Sequence, residues 1–380
     1  MKKLFYISCL LLLCFEIANV YFIMPMPGSQ EIQSIDLAYF LYSWRWIFRI
    51  VFTGMIVFSF WKTVKTPRLV VRIITLIPVI AVCWLFNFVM VADKMFLQPQ
   101  ELIMKNVSEN TVPLDRIIIG VVEGDQARAY PIEYLAYHHQ VQDSVNGKNI
   151  LVTYCSVCRS GRVFEPLVKG KKESFRLVGM DHFNAMFEDK TTGSWWRQVN
   201  GEAITGELTG EKLPEIFSRQ MSLREWLMLY PNSLIMQPDP SSVNYYDPDA
   251  KFEKGQSTSS LTGTNSESWK KKSWVLGIEL EKESKAYDWN LLKKERIIND
   301  QVGDKKIIVV LSEDEKSFAA FENHTDQVAT ISADTIIICN TRYNLNGSDY
   351  SGASENLKKI RAYQEFWHSW LTFHPKTLRY

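Results

Sequence analysis

Three long apolar runs occupy the first quarter of this 380-residue chain, and they decide what its N-terminal part can fold into. The first runs from Leu4 to Met24, is broken only by Glu16, and ends at Pro25-Met26-Pro27. The second runs from about Trp46 to Trp61, or from Ile35 with a tilted start; the third runs from Leu69 to Ala92, with Pro78 as a kink. Roughly 20 apolar residues of helix cross a bilayer, so each run is long enough. Of the chain's 43 Lys and Arg and 42 Asp and Glu, only 11 lie in residues 1–92. That asymmetry excludes a wholly soluble protein, and 46% hydrophobic residues with 13% aromatic exclude a disordered one. The balanced total charge gives no basic field, so no nucleic-acid partner is expected.

Met1-Lys2-Lys3 also fits the start of a cleaved signal peptide. The length of the first run and the lack of a small-x-small cleavage site favour its retention as a span; cleavage would leave two. Lys2 and Lys3 precede the first run, and Lys62, Lys65 and Arg68 lie between the second and third, while the intervening loop carries Glu31 and Asp36. Arg45 and Arg49 dilute the contrast, but the positive-inside rule places the N-terminus in the cytoplasm and everything after about residue 93 outside it. The expected setting is a bacterial inner membrane, multi-pass, with the bilayer as partner and the C-terminal part in the periplasm.

The remainder reads as two copies of one unit. A shift of 157 residues carries 120–152 onto 277–309 without a gap and gives 9 identities in 33 positions, among them Gly120/Gly277, Tyr130/Tyr287, Asp143/Asp300 and Val152/Val309. Both copies end alike, with Trp226 five before Pro231 and Trp370 five before Pro375. Gly124-Asp125 and Asn146-Gly147 are hairpin turn signals. They separate β-rich runs at Ile117–Glu123, Ala127–Ile132 and Ile150–Tyr154, with a short helix over 133–140. Arg162–Val168 and Ser174–Val178 read as a further hairpin around Gly170, and Ser222–Tyr230 as a helix closed by Pro231. The predicted fold is α+β and mainly antiparallel β, in two degenerate tandem repeats preceded by an all-α transmembrane anchor. The boundaries are residues 1–94 for the anchor, 112–237 for the first repeat, 238–268 for a linker or loop, and 269–380 for the second repeat.

Residues present in only one copy are the candidates for chemistry. Cys155, Cys158 and His138 of the first copy face Ser312, Glu315 and Glu295 of the second. Three cysteines outside the apolar runs make no disulfide framework, so Cys155-Ser156-Val157-Cys158 is a local device. A pair of thiols at this spacing can exchange a disulfide, and Arg159 and Arg162 beside it favour a thiolate. The pair does not open a helix, as it would in thioredoxin, because Ser160–Phe164 continues as loop and strand. Two other readings stay open: a soft-metal site, in which copper or zinc is held by Cys155, Cys158 and His138, and a structural bridge or buried thiols. His138 and His139 are adjacent on a helix, about 100° apart, so one of them is expected to face the cysteines, and His138 is the choice. His182 is a further candidate. Cys339, His368, His374 and Trp195-Trp196 are expected to serve packing.

Ala129-Tyr130-Pro131, His138 five before Asp143, Val152-Thr153-Tyr154-Cys155-x-x-Cys158 and Val163-Phe164 resemble the DUF3179 family. Asn184, Asp189, Thr192, Ser194-x-Trp196, Gly201, Ala203-Ile204, Gly206, Leu213-Pro214, Trp226 and Pro231 continue the pattern. The resemblance covers about residues 115–380 and leaves out the anchor. It brings no mechanism, but some family members are described as selenoproteins, which implies selenocysteine at a motif cysteine and favours redox or soft-metal chemistry over a structural bridge. Ser156 stands where proline is common and Arg159 where glycine is common.

The expected function is a membrane-anchored, extracytoplasmic thiol-redox protein. Cys155 attacks, Cys158 resolves, Arg159 favours the thiolate and His138 moves the proton, with a membrane or periplasmic redox protein as partner. The alternatives are the soft-metal module and a non-catalytic envelope interaction protein. No nucleotide-binding glycine pattern and no zinc-protease or hydrolase motif is present.

Overall fold

The computed structural model describes residues 1–380 except Thr66 and Lys282. Its contacts divide the chain into two compact units, one of residues 1–97, 173–197 and 202–212, the other of residues 98–172, 198–201 and 213–380.

The first unit contains helices α1 (Lys2–Tyr21), α2 (Ile35–Ser43), α3 (Arg45–Thr63) and α4 (Leu69–Trp84), the last continuing as a π-helical turn, Leu85–Val89. Helices α1, α3 and α4 with its π turn are long and apolar enough to cross a membrane. The stretch from Ile35 is a separate helix rather than a tilted start of α3. Phe5, Cys9 and Leu12 of α1 pack on Ile56 of α3 and Val79 of α4, while the outer faces of α3 and α4 present large exposed side chains such as Ile50, Trp61 and Val70.

This unit also holds a four-stranded antiparallel sheet, in order Ala203–Thr205, Trp195–Arg197, Asn184–Asp189, Phe175–Asp181. Val178, Met186 and Trp195 of the sheet form one core with Val20, Ile23, Met24 and Ala38. The Met180 amide donates to the Ile23 carbonyl at 2.7 Å. A Cβ on Gly179 would lie 2.2 Å from that oxygen, which is why the strand carries a glycine there. Trp195 and Trp196 are buried, as expected of packing residues.

The second unit is α+β. Ile117–Glu123 and Gln126–Pro131 form the first hairpin, closed by the two-residue turn Gly124-Asp125, and are flanked by Ser218–Ser222 on one side and Leu234–Met236 on the other. Gln140–Val145, Lys148–Cys155 and Ser160–Phe164 make a second antiparallel sheet. Its turn, Asn146-Gly147, has both residues at positive φ, as a two-residue hairpin needs. Helix Ile132–His138 links the two sheets, and helix Leu223–Leu229 is capped by Ser222, whose hydroxyl accepts from the Glu225 amide.

From residue 274 onward the elements follow the same succession: hairpin Trp274–Leu280/Glu283–Asp288, helix Trp289–Glu295, strands Ile297–Val302, Lys305–Leu311 and Phe318–Glu322, then Tyr363–Phe366, helix Trp367–Phe373 and Leu378–Arg379. Corresponding side chains make corresponding bonds. The Tyr130 hydroxyl donates to Asp143 at 2.6 Å and that of Tyr287 to Asp300 at 2.8 Å. The indole of Trp226 donates to Ser233 at 2.8 Å and that of Trp370 to Thr377 at 2.9 Å.

Two expectations need correction. The hairpin expected around Gly170 does not form from the long flanking runs. Pro166, which cannot donate to a ladder, ends the strand Ser160–Phe164. Only Leu167–Val168 and Lys171–Lys172 pair around the turn, and Phe175–Asp181 joins the sheet of the first unit. The linker or loop segment over 238–268 forms no strand among the described residues, and its Glu253 is buried, holding Arg116 at 2.9 Å and accepting from the Ile117 amide at 2.7 Å. Cys339, expected in the core, is exposed, because the strand Thr335–Ile338 stops one residue earlier and Cys339-Asn340 turn at positive φ.

Candidate functional site

Strand Lys148–Cys155 delivers Cys155 at its last residue, and the register pairs Cys155 with Ser160. Ser156–Arg159 are therefore the turn of a β-hairpin, closed by Arg159 at φ 57°. This is the loop-and-strand setting expected from Ser160–Phe164. The two cysteines are not bridged to one another, and both are 0% exposed.

Two side chains from the far end of the sequence converge on the turn. The Lys272 ammonium donates to the carbonyl of Val157, between the two cysteines, at 2.9 Å, and also to the Leu261 carbonyl. His368 Nε2 lies 3.2 Å from the same Val157 carbonyl and 3.2 Å from the Lys272 ammonium. The Phe366 amide donates to the Cys158 carbonyl at 2.9 Å. Burial pushes Lys272 down to about 8, with Cys158 and Cys155 pulling it back up as negative partners. Burial, reinforced by the Lys272 charge, pushes His368 down to about 3, so it is neutral at pH 7. His368 was expected to serve packing; its ring nitrogen instead reaches the cysteine turn. His374 does pack, stacked on Trp370 with centroids 3.8 Å apart.

The expected partners are placed differently. Arg159 was expected to favour the thiolate, but its guanidinium donates to the carbonyls of Phe252 and Glu253 and to Gln364, each at 3.0 Å, and lies 3.7 Å over the Trp274 ring. It clamps the turn to Phe252, Glu253 and Gln364, and Lys272 is a cation that interacts electrostatically with both cysteines. His138 Nε2 is hydrogen-bonded to the Tyr246 hydroxyl at 2.7 Å. Its neighbour His139, in the left-handed conformation at the helix end, places Nδ1 3.0 Å from the carbonyl of Tyr154, next to Cys155. His182 belongs to the first unit, in the turn after Phe175–Asp181, with Nδ1 2.7 Å from Asp181. Among the described residues no group of three His, Cys, Asp or Glu side chains is close enough to hold a metal ion, so the copper or zinc set Cys155, Cys158 and His138 is not assembled.

Burial holds His139 at about 4, against about 6.5 for a free imidazole. The unfolded chain therefore binds this proton first, and the stability His139 contributes is complete above pH 6.5 and is lost as pH falls towards 4. A His139→Asn variant keeps a residue tolerant of positive φ and removes the titration. Between pH 7.5 and 4.5 the wild type is expected to lose on the order of 3 kcal/mol more stability than the variant, measured as the difference in their denaturation free energies at each pH. Equal losses would overturn the assignment.

Lys272 carries no signal of its own in sequence, being the third lysine of Lys270-Lys271-Lys272. No curated protein and no solved structure is significantly similar to the chain. The cysteine turn, Trp226 and its counterpart Trp370 all fall within residues 101–377, which match the sequence profile of DUF3179, described as a protein of unknown function, and the chain belongs to that family.

Proposed function

We propose that this is a membrane-anchored thiol-disulfide exchange protein whose reactive pair is Cys155 and Cys158, with its second unit outside the cytoplasm. The two halves of that unit are degenerate copies in which the second, lacking cysteines at the turn, has become the holder of the first. The observation that carries the reading is the convergence of Lys272 and His368 on the Val157 carbonyl, which sets a cation and a neutral imidazole beside two thiols. A cation favours the thiolate, the species that attacks a disulfide.

The exchange balances without another reagent. The Cys155 thiolate attacks one sulfur of a substrate disulfide, forms a mixed disulfide and expels the first substrate thiolate, which takes up a proton. The Cys158 thiolate then attacks Cys155, expelling the second. The protein's dithiol is oxidised by two electrons and the substrate disulfide is reduced to two thiols; the reverse sequence oxidises a substrate dithiol. Because both sulfurs are buried, the turn Ser156–Arg159 opens for the substrate to reach Cys155.

The test equilibrates the full-length protein in thiol/disulfide buffers and reads Cys155 and Cys158 by alkylation and mass spectrometry. A midpoint between about −270 and −120 mV supports exchange, and one below about −300 mV marks a structural bridge and overturns the proposal. Lys272→Met removes the charge that stabilises the reduced, thiolate form, so its midpoint should be more negative by about 30 mV or more at pH 7. Since Lys272 titrates near 8, that gap should shrink by pH 9. A gap that does not change with pH would assign Lys272 a packing role only.

A further inference from the structure

Within the first unit, α1, α3 and α4 line a cavity of ≈620 Å³ that is open on the side where Trp46, Ile80 and Trp84 are exposed. Its walls are apolar apart from one corner, where Glu16 of α1, Arg49 of α3 and Asn87 of the π-helical turn meet. Arg49 grips Glu16 with Nε at 2.7 Å and Nη2 at 3.0 Å, and Asn87 donates to Glu16 at 3.0 Å. Glu16 is 1% exposed and its carboxylate is fully engaged. A charged group at this depth is costly and, when retained, marks a functional site more often than not. A π turn is likewise an element found mostly where a helix does something besides span.

The corner is not fully used by the protein itself. Among the described residues, Arg49 Nη1 has no acceptor and the Asn87 side-chain oxygen no donor, and both residues line the cavity together with the indoles of Trp46 and Trp84. The space therefore offers one hydrogen-bond donor, one acceptor, flat aromatic walls and an apolar body, within the size range of small-molecule sites. Its charges cancel, since the Glu16 carboxylate lies against the guanidinium. An anionic lipid headgroup brought to Arg49 would meet that carboxylate as well, whereas a neutral carbonyl would not.

We infer that this cavity binds a membrane quinone, a neutral planar diketone on an apolar tail, with a ring carbonyl accepting from Arg49, and in the reduced form a ring hydroxyl donating to Asn87. The inference rests on the reading of α1, α3 and α4 as membrane spans, and concerns binding alone.

The experiment uses the full-length protein in phosphatidylcholine nanodiscs, labelled by a photoreactive azidoquinone and mapped by mass spectrometry. Labelling of peptides from α1, α3 and α4 is expected to saturate and to be chased by decylubiquinone. It should fall at least tenfold in Ile80→Trp, which narrows the open side of the cavity without touching the ion pair. It should also fall in the double variant Glu16→Gln/Arg49→Gln, which keeps a neutral hydrogen-bonded pair but loses the guanidinium. Labelling that rises linearly with quinone and resists the chase would show bilayer partition only. A chase by phosphatidylglycerol in place of decylubiquinone would identify an anionic lipid site. Either result overturns the inference. Release of the protein from native membranes by alkaline carbonate would instead overturn the span reading beneath it.

Discussion

Replacing Glu365 with alanine is expected to destabilise the protein by about 3–5 kcal/mol, the usual cost of stranding one partner of a buried ion pair. Glu365 is 0% exposed and holds Arg162 at 2.5 Å. Arg162 lies 3.4 Å over the Tyr363 ring, and the Ser369 hydroxyl donates to the other carboxylate oxygen at 2.8 Å. With Glu365 gone, a buried guanidinium keeps one hydrogen bond to the Gly161 carbonyl, the face of the Tyr363 ring and a looser ion pair with Glu215 at 4.0 Å. The double variant Arg162→Met/Glu365→Leu removes both charges and should recover most of the loss, because an apolar pair of similar volume is often as stable as the ions it replaces. Denaturation midpoints of the three proteins check both statements; a single-variant loss below about 1 kcal/mol would show that the pair is reached by solvent. The pair joins strand Ser160–Phe164, which leaves the cysteine turn, to strand Tyr363–Phe366, whose Phe366 amide holds Cys158. The Glu365 variant should therefore also expose both thiols to alkylation faster than the wild type.

Trp226→Ala should be comparably severe, at about 3–5 kcal/mol, since it empties a large site in a packed core. The ring is fully buried and lies flat on Gly120, so closely that a Cβ on that glycine would stand 2.2 Å from it; Trp370 sits on Gly277 in the same way, at 2.3 Å. Gly120→Ala and Gly277→Ala test the same contact from the other side and should cost about 1–3 kcal/mol or more, as overpacking does. Neither glycine has a positive φ, so the reason for glycine is space for the indole rather than backbone conformation. An alanine tolerated at either position, by thermal or denaturant midpoint, would show that the ring can slide.

The turn chemistry at Gly124-Asp125 and Asn146-Gly147, the helix before Pro231 and the apolar runs were readable because each depends on neighbours within a few residues. The tryptophan-glycine contacts were half visible, as a spacing of Trp226 and Trp370 from their prolines and as the coincidence of Gly120 and Gly277. Lys272 and His368 were not visible at the site, because what selects them is a fold that returns more than 100 residues later to the cysteine turn. A third lysine in a basic run and a histidine among aromatic residues look like surface and packing. Arg159 misled for the converse reason: adjacency in sequence to Cys158 suggested an electrostatic role, while its positive φ and long side chain carry the charge to Phe252, Glu253 and Gln364. Pro166 was present to be read, and it breaks the first of the two runs placed around Gly170.

The sheet of residues 175–205 has a consequence for anyone who would trim this molecule. A cut after the last apolar helix, near residue 95, looks natural on a hydropathy plot and leaves every cysteine of interest behind. It would also strip Val178, Met186 and Trp195 of the Val20, Ile23, Met24 and Ala38 side chains that cover them, and leave the Met180 amide without the Ile23 carbonyl it serves. The segment at the start of the chain, long and apolar enough to cross a membrane, is thus also part of the interior beneath this sheet, and the sheet inherits a raw, sticky face when the two are separated.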